Sequence, residues 1–469
     1  MTLPRLARTA PPVGVGIVHL GLGAFFRAHG AVYVQEAVAA SGGAWGVLGV
    51  SLQSPDTRNR LDPQGGTYLA VEQGPAGEVA RHVQIVQGVR VAPEDPGAVL
   101  AAMAAPGTRI VSLTVTEKGY CHEPSTGQLN PDHPDIRHDL ANPLPRSAPG
   151  FLVRALQARR AAGLAPCTVL SCDNLPDNGR VVRGVVLDLA RRIDPALADW
   201  IAAEGRFPGT MVDRIVPATR PEDIVRVAAL TGWQDEAPVL HEPFRQWVVQ
   251  DDFVGGDRPD LGAVGVQLVS DVAPFEHMKL RMLNGTHSAL AYLGYLAGHA
   301  TIAETVADPA FAAFVRRLWA TEIIPALTPP PGVDLPAYAG QLFDRYANPA
   351  IRHRTWQIAM DGSQKLPQRI LGTLDSNFKA GRPSPGLLLA LAAWVTYVSG
   401  TDLQGQPIDV RDPLADTLRA AATSADPVGA ILALRQVFPE PLAARLDAPL
   451  RAARAALMAS GARAALTPA

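Results

Sequence analysis

The sequence predicts an α/β domain followed by a mainly α-helical domain. Short apolar strands alternate with helical stretches over the first half of the chain, and a glycine-rich turn follows the first strand. After about residue 273, alanine and leucine dominate and runs of β-branched residues disappear. We therefore predict domains at residues 1–273 and 274–469, the first built on a mostly parallel sheet covered on both faces.

The individual elements follow from runs of apolar residues and from the turns between them. In the first domain, strands are predicted at 16–20, 45–52, 108–116 and 167–171, and helices at 31–40 and 150–162. In the second domain, helices are predicted at 288–298, 309–326, 387–398 and 441–460. Proline- and glycine-rich breaks at 329–332 and 381–385 separate some of them. The longest apolar stretch, 387–398, is too short to span a bilayer and predicts a buried helix.

The composition excludes several classes of protein. The chain has 469 residues, is 47% hydrophobic and 18% charged, and carries a net charge of -2. A nucleic-acid binder would need a basic patch, so no nucleic-acid partner is expected. The start lacks the apolar core of a signal peptide, and three cysteines are too few for a disulfide framework. We expect a soluble cytoplasmic protein without a membrane partner.

A glycine-rich turn supplies the candidate cofactor site. Gly21 and Gly23 follow the first strand and precede a helix, which is the context of a dinucleotide-binding turn in a Rossmann-type domain. Gly21 allows the tight turn, and Gly23 lets the backbone approach a pyrophosphate. Phe25 and Arg27 belong to the same motif and are predicted to bind the cofactor. Phe26 replaces the third glycine of the usual pattern, and a turn without any ligand remains an alternative.

An acidic residue after the second strand bears on the choice of cofactor. Asp56 is placed to accept hydrogen bonds from the adenosine ribose, which favours NAD over NADP because a carboxylate repels a 2'-phosphate. Arg58 and Arg60 lie close enough in sequence to meet that phosphate instead. A solvated loop aspartate is the other alternative.

Polar residues stand near the ends of three further strand-like segments. Glu117 follows strand 108–116, Asn174 follows strand 167–171, and Asp213 lies in the segment MVDRIVP at 211–217. Open α/β sheets bind ligands at the carboxyl ends of their strands. Glu117 is a candidate proton relay, Asn174 a candidate oxyanion donor, and Asp213 a candidate substrate ligand. The alternatives are an ion pair between Glu117 and Lys118, an ion pair between Asp213 and Arg214, and an ordinary turn at 174–179.

The segment KLRMLNGTH at 279–287 combines an amine, an amide and an imidazole. At about 100° per helical residue, Lys279, Asn284 and His287 lie at about 0°, 140° and 80° around the axis, on one side of a helix. An amine that exchanges a proton beside an amide donor suits interconversion of an alcohol and a ketone, which requires a hydride carrier. No zinc-ligand spacing, nucleophile elbow or phosphate loop occurs in the sequence, so no metal is expected.

With these motifs in order, the chain resembles the polyol-specific long-chain dehydrogenase/reductase (mannitol dehydrogenase) family over nearly its whole length. The resemblance is carried by the following segments: GLGAFFRAH at 21–29, TVTEKGY at 114–120, SCDNLPDNG at 171–179, MVDRIVP at 211–217, EPFRQWV at 242–248, KLRMLNGTH at 279–287 and RYANPAIRHRTWQIAMDGSQKLPQR at 345–369. It implies a Rossmann-type N-terminal domain, a mainly α-helical C-terminal domain, an active site in the cleft between them, and no catalytic metal.

The resemblance also implies roles for single residues. Lys279 is similar to the family's general base, Asn174 and Asn284 to its oxyanion donors, and His287 to the residue that holds the substrate. Glu117 resembles a glutamate that exchanges protons with solvent. Asp213 and Lys365 match substrate-contacting residues of the family.

The resemblance leaves the substrate open between a sugar acid and a polyol. Arg352 and Arg354 precede Lys365, and arginine recognises a carboxylate. Gln357 stands where mannitol enzymes tend to carry an arginine. D-Mannonate/D-fructuronate is therefore placed before D-mannitol/D-fructose or another hexitol or pentitol, although Arg352 and Arg354 pairing with surface acids is an alternative. A catalytically silent sugar-acid or nucleotide-binding regulator is the alternative from another class, and a monomer or weak homo-oligomer is expected.

Overall fold

The chain forms two compact units, Met1–Ala273 and Pro274–Ala469. The computed structural model describes residues 3–123 and 126–467. The first unit is α/β and the second is mainly helical, so the predicted fold class is confirmed. The strands of the first unit are β1 (Val15–Leu20), β2 (Gly46–Ser51), β3 (Tyr68–Gly74), β4 (Gly77–Val83), β5 (Val86–Val91), β6 (Ile110–Leu113), β7 (Thr168–Ser171), β8 (Thr210–Asp213), β9 (Val239–His241), β10 (Gln246–Gln250) and β11 (Gln267–Val269).

The central sheet is parallel and has the strand order β5-β2-β1-β6-β7. The chain runs outward from β1 in one direction through β2 and in the other through β6. The carboxyl ends of β1 and β6 therefore flank the point at which the strand order reverses, where open α/β sheets bind their ligands. The four predicted strands are confirmed, although β6 ends at Leu113 rather than residue 116. It ends early because Val115 and Thr116 donate their amides to the Asp173 carboxylate instead of to a strand.

Helices cover both faces of this sheet, as predicted. One apolar cluster contains Val18, Leu20 and Val111, and another contains Ile17 and Val47, so successive strand residues serve opposite faces. The helices of this unit are α1 (Ala24–Ala28), α2 (Gly30–Ser41), α3 (Asp56–Leu61), α4 (Pro96–Ala104), α5 (Pro134–Ala141), α6 (Ala148–Ala161), α7 (Asn178–Ile193), α8 (Pro195–Glu204) and α9 (Pro221–Thr231).

Two small sheets of the first unit were not predicted. Their strand orders are β4-β3-β9 and β11-β10-β8, and both contain antiparallel pairs. β9 and β11 are only three residues long, and β4 alternates between exposed and half-buried positions. Three residues are too few to show a period of two in the sequence. In β4, which has seven residues, the apolar Val79 is exposed, so the apolar residues do not mark one buried face.

The second unit is built around a helix that is buried along most of its length. This is α18 (Pro385–Tyr397), which confirms the buried helix predicted at 387–398. No helix among residues 3–123 and 126–467 is long and apolar enough to cross a membrane. The other helices are α10 (Ala273–Met278), α11 (Thr286–Leu296), α12 (Ile302–Ala307), α13 (Pro309–Leu318), α14 (Leu335–Tyr346), α15 (Thr355–Ala359), α16 (Gly362–Leu366), α17 (Gly372–Lys379), α19 (Ala415–Ala422), α20 (Pro427–Leu432) and α21 (Glu440–Ser460).

Wide π-helical turns interrupt the helices of the second unit at Lys279–Gly285, Trp319–Ile323 and Pro367–Leu371. The single helix predicted at 309–326 was therefore wrong beyond Leu318, where a π-helical turn and a 3₁₀ turn replace it. Single π-helical turns of this kind are frequent at functional sites.

The buried histidine His19 makes the fold sensitive to acid. Its ring stacks on Phe26 with centroids 3.4 Å apart and bonds to the hydroxyls of Ser112 and Thr114. Burial lowers the pKa of His19 to about 3, from an ordinary value of 6.5. The unfolded chain then binds a proton that the folded chain excludes, so the stability from this group is complete above pH 6.5 and is lost as the pH falls towards 3.

We expect His19 to remove about 2 kcal/mol from the free energy of unfolding when the pH falls from 8 to 5. Urea denaturation at both pH values measures this loss. In a His19→Gln variant the loss should be smaller by about that amount, whereas exchange of the exposed His277 for glutamine should leave it unchanged. An equal pH dependence in wild type and His19→Gln would refute the assignment.

Candidate functional site

The glycine-rich turn after β1 has a backbone that demands glycine at its first position. Gly21 has φ of +87°, and a Cβ there would lie 2.2 Å from the carbonyl oxygen of Thr114. The Gly21 amide donates to the carbonyl of Val50 at 2.8 Å. The turn therefore lies in close contact with the ends of β1, β2 and β6, and a side chain at Gly21 would force these strand ends apart.

Gly23 differs from Gly21 because the packing of the protein would leave room for a side chain at Gly23. It is exposed, and a Cβ there would meet only the carbonyl oxygen of Gly21, at 3.8 Å. The space in front of this backbone is therefore open to a ligand. Phe26, in place of a third glycine, packs into the core against His19. The helix beyond the turn is broken at His29, whose Nε2 pairs with the carbonyl of Gln246 at 2.9 Å, so a five-residue helix precedes the predicted one.

The other predicted cofactor ligands of the turn have different surroundings. The Arg27 guanidinium donates to the carbonyl of Ala237 at 2.6 Å and lies over the ring of Tyr68 at 5.2 Å. These contacts favour a structural role for Arg27, and its predicted cofactor contact stays a prediction. Phe25 is half-buried, with its ring stacked on His29 at 5.0 Å.

Asp56 is exposed at the first position of α3, where it accepts a hydrogen bond from the Ser54 hydroxyl at 3.0 Å. Arg58 forms an ion pair with Glu94 and also donates to Asn59. Arg58, one of the two arginines that the sequence offered as ligands for a 2'-phosphate, is therefore already paired with a carboxylate.

A buried carboxylate that was not predicted organises the loops after β6 and β7. Asp173 accepts hydrogen bonds from the amides of Val115 at 3.0 Å and Thr116 at 2.9 Å, and from the Tyr120 hydroxyl at 2.7 Å. It thereby holds the turn that carries the exposed Glu117 beside the loop that carries the exposed Asn174. Burial is the main cause of a raised pKa at Asp173. Asp173 lies within the segment quoted at 171–179, but nothing in its spacing distinguished it from Asn174.

Asp213 is the last residue of β8 and is buried. The neighbouring Arg214 donates to the carbonyl of Ala28 at 2.6 Å and forms an ion pair with Glu72 at 4.0 Å. The backbone of Asp213 pairs with Gln246 of β10, so the small sheet β11-β10-β8 fixes its position.

The predicted α-helical geometry of 279–287 was wrong, because Lys279–Gly285 is a π-helical turn between α10 and α11. A π-helix bonds residue i to residue i+5, so Lys279 and Asn284 lie one turn apart along the segment. His287 follows near the start of α11. All three are buried, with exposed fractions of 7%, 9% and 7%.

Glycine and two aromatic residues hold this π-helical turn in place. A Cβ at Gly285 would lie 2.6 Å from the carbonyl of Arg369, so glycine is needed where the two turns Lys279–Gly285 and Pro367–Leu371 touch. The Tyr346 hydroxyl donates to the carbonyl of Leu283 at 2.8 Å, and the Trp319 indole donates to the Thr286 hydroxyl at 2.8 Å. These bonds satisfy polar groups around the widened backbone.

His287 lies among other rings and cations. Its ring centroid is 4.7 Å from that of Tyr346 and 5.1 Å from that of His353. Burial is the main cause of a pKa well below the usual value for His287, and His353, Arg345 and Arg369 lower it further. His287 is therefore neutral near pH 7, and its ring has one donor and one acceptor nitrogen.

Asn284 has a donor group available for a ligand. Its Nδ2 is buried and has no hydrogen-bond partner within the described part of the chain. Buried polar groups are normally satisfied, so an unpartnered amide in this position is typical of a ligand site.

Of the three cations predicted to bind the substrate, Lys365 is half-buried, whereas the other two are exposed. Lys365 donates to the carbonyl of Met360 at 2.6 Å and lies 3.7 Å from Asp361. Burial is the main cause of a lowered pKa at Lys365, and the charge of Arg369 lowers this pKa further. Arg352 and Arg354 are exposed, which leaves their predicted substrate role without support. Arg345, which is buried, and Arg369, which is half-buried, are the arginines that act on His287, and they are the first and last residues of the segment quoted at 345–369. Their position at the ends of that segment was the signal that sequence analysis missed.

No group of three or more histidine, cysteine or acidic residues among residues 3–123 and 126–467 has the arrangement of a metal site. The three cysteines are buried and reduced.

Comparisons with known proteins agree with the α/β and mainly helical fold. The profile of the mannitol dehydrogenase Rossmann domain matches residues 15–262, and that of the mannitol dehydrogenase C-terminal domain matches residues 271–447. D-mannonate oxidoreductase of Escherichia coli (strain K12) is 47% identical, over 92% of this chain and 90% of its own length. Mannitol 2-dehydrogenase of Phaeosphaeria nodorum is 40% identical, over 99% of this chain and 82% of its own length.

A solved structure is similar over almost the whole chain. It is the Pseudomonas fluorescens mannitol 2-dehydrogenase in ternary complex with NAD and D-mannitol, with a TM-score of 0.87 and 36% identity. The similarity covers 99% of this chain and 96% of the other.

Proposed function

Because the chain belongs to the mannitol dehydrogenase family of oxidoreductases, we propose that it interconverts D-mannonate and D-fructuronate with NAD. The single observation that carries the choice of a sugar acid is the set of cations near the neutral rings of His287 and His353, of which Arg345 is buried and Lys365 and Arg369 are half-buried. Arg345, Lys365 and Arg369 bring positive charge to a site whose substrate would bring a carboxylate. Charge-assisted bonds from arginine and lysine recognise such a group.

A polyol is the second candidate. It is favoured by the similarity to the solved mannitol 2-dehydrogenase, which was bound to D-mannitol and covers the whole fold. The D-mannonate oxidoreductase has the higher identity of the two relatives, and this supports the sugar acid.

The first unit has the features that a dinucleotide needs. Gly21 and Gly23 provide a tight turn with open backbone, and the turn lies at the reversal of strand order. We assign residues 1–273 to NAD and residues 274–469 to the substrate. Asp56 is assigned to the ribose, with NAD preferred to NADP because Arg58 is engaged by Glu94. Bound NAD would supply the hydride acceptor that no side chain provides.

The residues of the chain then handle the proton and the developing charge. Neutral Lys279 removes the hydroxyl proton during oxidation, and its ammonium form returns one during reduction. The amides of Asn174 and Asn284 donate to the alkoxide oxygen. Neutral His287 orients the substrate without adding charge.

The remaining polar residues complete the assignment. Glu117, which is exposed, exchanges the proton with solvent, while Asp213 binds substrate hydroxyls and Lys365 binds the substrate carboxylate. A cytoplasmic location and a monomeric or weakly associated state stay predictions.

The deciding experiment measures NADH oxidation with D-fructuronate, D-tagaturonate and D-fructose side by side. The highest kcat/KM is expected for D-fructuronate. A preference for D-fructose would select the polyol candidate, and no turnover with these substrates or other polyols would support the catalytically silent regulator.

A further inference from the structure

His353, which lies between two exposed arginines, is itself turned into the second unit. Its ring stands perpendicular to that of His287, with centroids 5.1 Å apart. Arg352 and Arg354 on either side of it are exposed. The chain at this point thus inserts one imidazole beside the proposed substrate-holding histidine.

The backbone fixes this position firmly. The His353 amide donates to the carbonyl of Ile351 at 2.8 Å, and the His353 carbonyl accepts from the amide of Ile302 at 3.0 Å. Thr301 and Arg354 form an isolated antiparallel bridge. The start of α12 therefore anchors the 351–354 segment, and the ring has a defined place.

The His353 ring has a polar atom for which the described chain offers no partner. Its Nδ1 is buried and has no hydrogen bond to any of the residues 3–123 and 126–467. Asn284 Nδ2, three residues before His287 in sequence, is in the same situation. Two unsatisfied buried polar atoms, one on a ring that contacts His287 and one three residues before His287, are expected where a polyhydroxylated ligand completes the bonding.

The His353 ring is neutral near pH 7, which allows it to hydrogen-bond to a hydroxyl. Burial is the larger cause and Lys365 the smaller cause of a pKa of about 4 for His353. Near pH 7 the imidazole is neutral and has one donor and one acceptor nitrogen. It can hydrogen-bond to a sugar hydroxyl without placing a further positive charge beside Lys365.

We propose that His353 is a further substrate-binding residue, which holds a hydroxyl of the sugar chain away from the reacting carbon. The proposal rests on the assignment of this site to a sugar acid or polyol. It adds a neutral contact to the cations Lys365 and Arg369, so that hydroxyls and carboxylate are recognised by different side chains.

The test compares His353→Leu and His353→Gln with wild type under steady-state conditions. His353→Leu should raise KM for the sugar about 10- to 100-fold, because the hydroxyl loses its partner, while kcat and KM for NADH change less than about 3-fold. His353→Gln keeps a polar atom and should recover most of the affinity. His299→Gln is the matched control, since His299 lies in the same unit, partly exposed and paired with Asp308 at 3.7 Å.

A second readout separates this inference from the proposed function. Calorimetric titration of D-mannonate and D-mannitol into wild type and the His353 variants measures sugar binding without turnover. Weaker binding by His353→Leu supports the contact even if no sugar is oxidised, in which case only the proposed activity fails. Unchanged sugar KM and unchanged binding in His353→Leu would overturn the inference. If His353→Leu does not fold, His353→Phe takes its place: weaker sugar binding with unchanged NADH affinity supports the contact, and sugar affinity equal to wild type overturns it.

Discussion

Replacement of Lys279 by alanine is expected to lower kcat/KM by roughly 10²- to 10⁴-fold, the range for loss of a general acid–base. Lys279 is the amine of the π-helical turn and is only 7% exposed. Binding of NADH should change little, because the predicted dinucleotide ligands belong to the first unit. Steady-state kinetics and a fluorescence titration of NADH measure the two effects separately.

The matched control for this variant is Lys379→Ala. Lys379 lies at the end of α17 in the same unit, is largely exposed and pairs with Asp375 at 2.5 Å. This substitution should leave kcat/KM within about 2-fold of wild type, since exposed ion pairs contribute little. Full activity in Lys279→Ala would remove Lys279 from the proton transfer.

Replacement of Gly21 by alanine is expected to damage both the fold and the cofactor site. The φ of +87° disfavours any residue with a Cβ, and the added atom would lie 2.2 Å from the Thr114 carbonyl oxygen. The conformational cost alone is about 1–2 kcal/mol, and relief of the clash must separate the ends of β1 and β6. Urea denaturation should show a loss of at least about 2 kcal/mol, and NADH titration should show at least a 10-fold weaker complex.

Gly184→Ala provides the control for this substitution. Gly184 lies in the exposed part of α7, and a Cβ there would have no neighbour within 4 Å. Alanine should stabilise this helix by about 0.5–1 kcal/mol and leave NADH affinity unchanged. If Gly21→Ala bound NADH as tightly as wild type, the turn would not be the dinucleotide site.

Sequence reasoning predicted the parts of the fold that long, regular patterns encode. The strands β1, β2 and β7 and the buried helix α18 were found because their apolar residues form uninterrupted runs. The turn at Gly21 was found because a positive φ between a strand and a helix restricts the choice of residue.

The missed features depend on contacts between distant residues. The π-helical turn at Lys279–Gly285 exists where Gly285 meets the backbone of Arg369, a contact that local periodicity does not encode. Burial of Arg345, partial burial of Arg369, and exposure of Arg352 and Arg354 likewise follow from packing within the second unit. Residue type and spacing alone had favoured Arg352 and Arg354, whose role as substrate ligands stays a prediction.

The most direct measurement follows deuterium from the nicotinamide to the sugar. Wild-type protein is incubated with D-fructuronate and NADH that carries deuterium at both C4 positions of the nicotinamide ring, and the product is examined by NMR. We predict deuterium on the carbon that carried the keto oxygen, in an amount equal to the NADH consumed. NADH consumption without deuterium on that carbon, or no product at all from a sugar acid or a polyol, would contradict a hydride-transferring dehydrogenase.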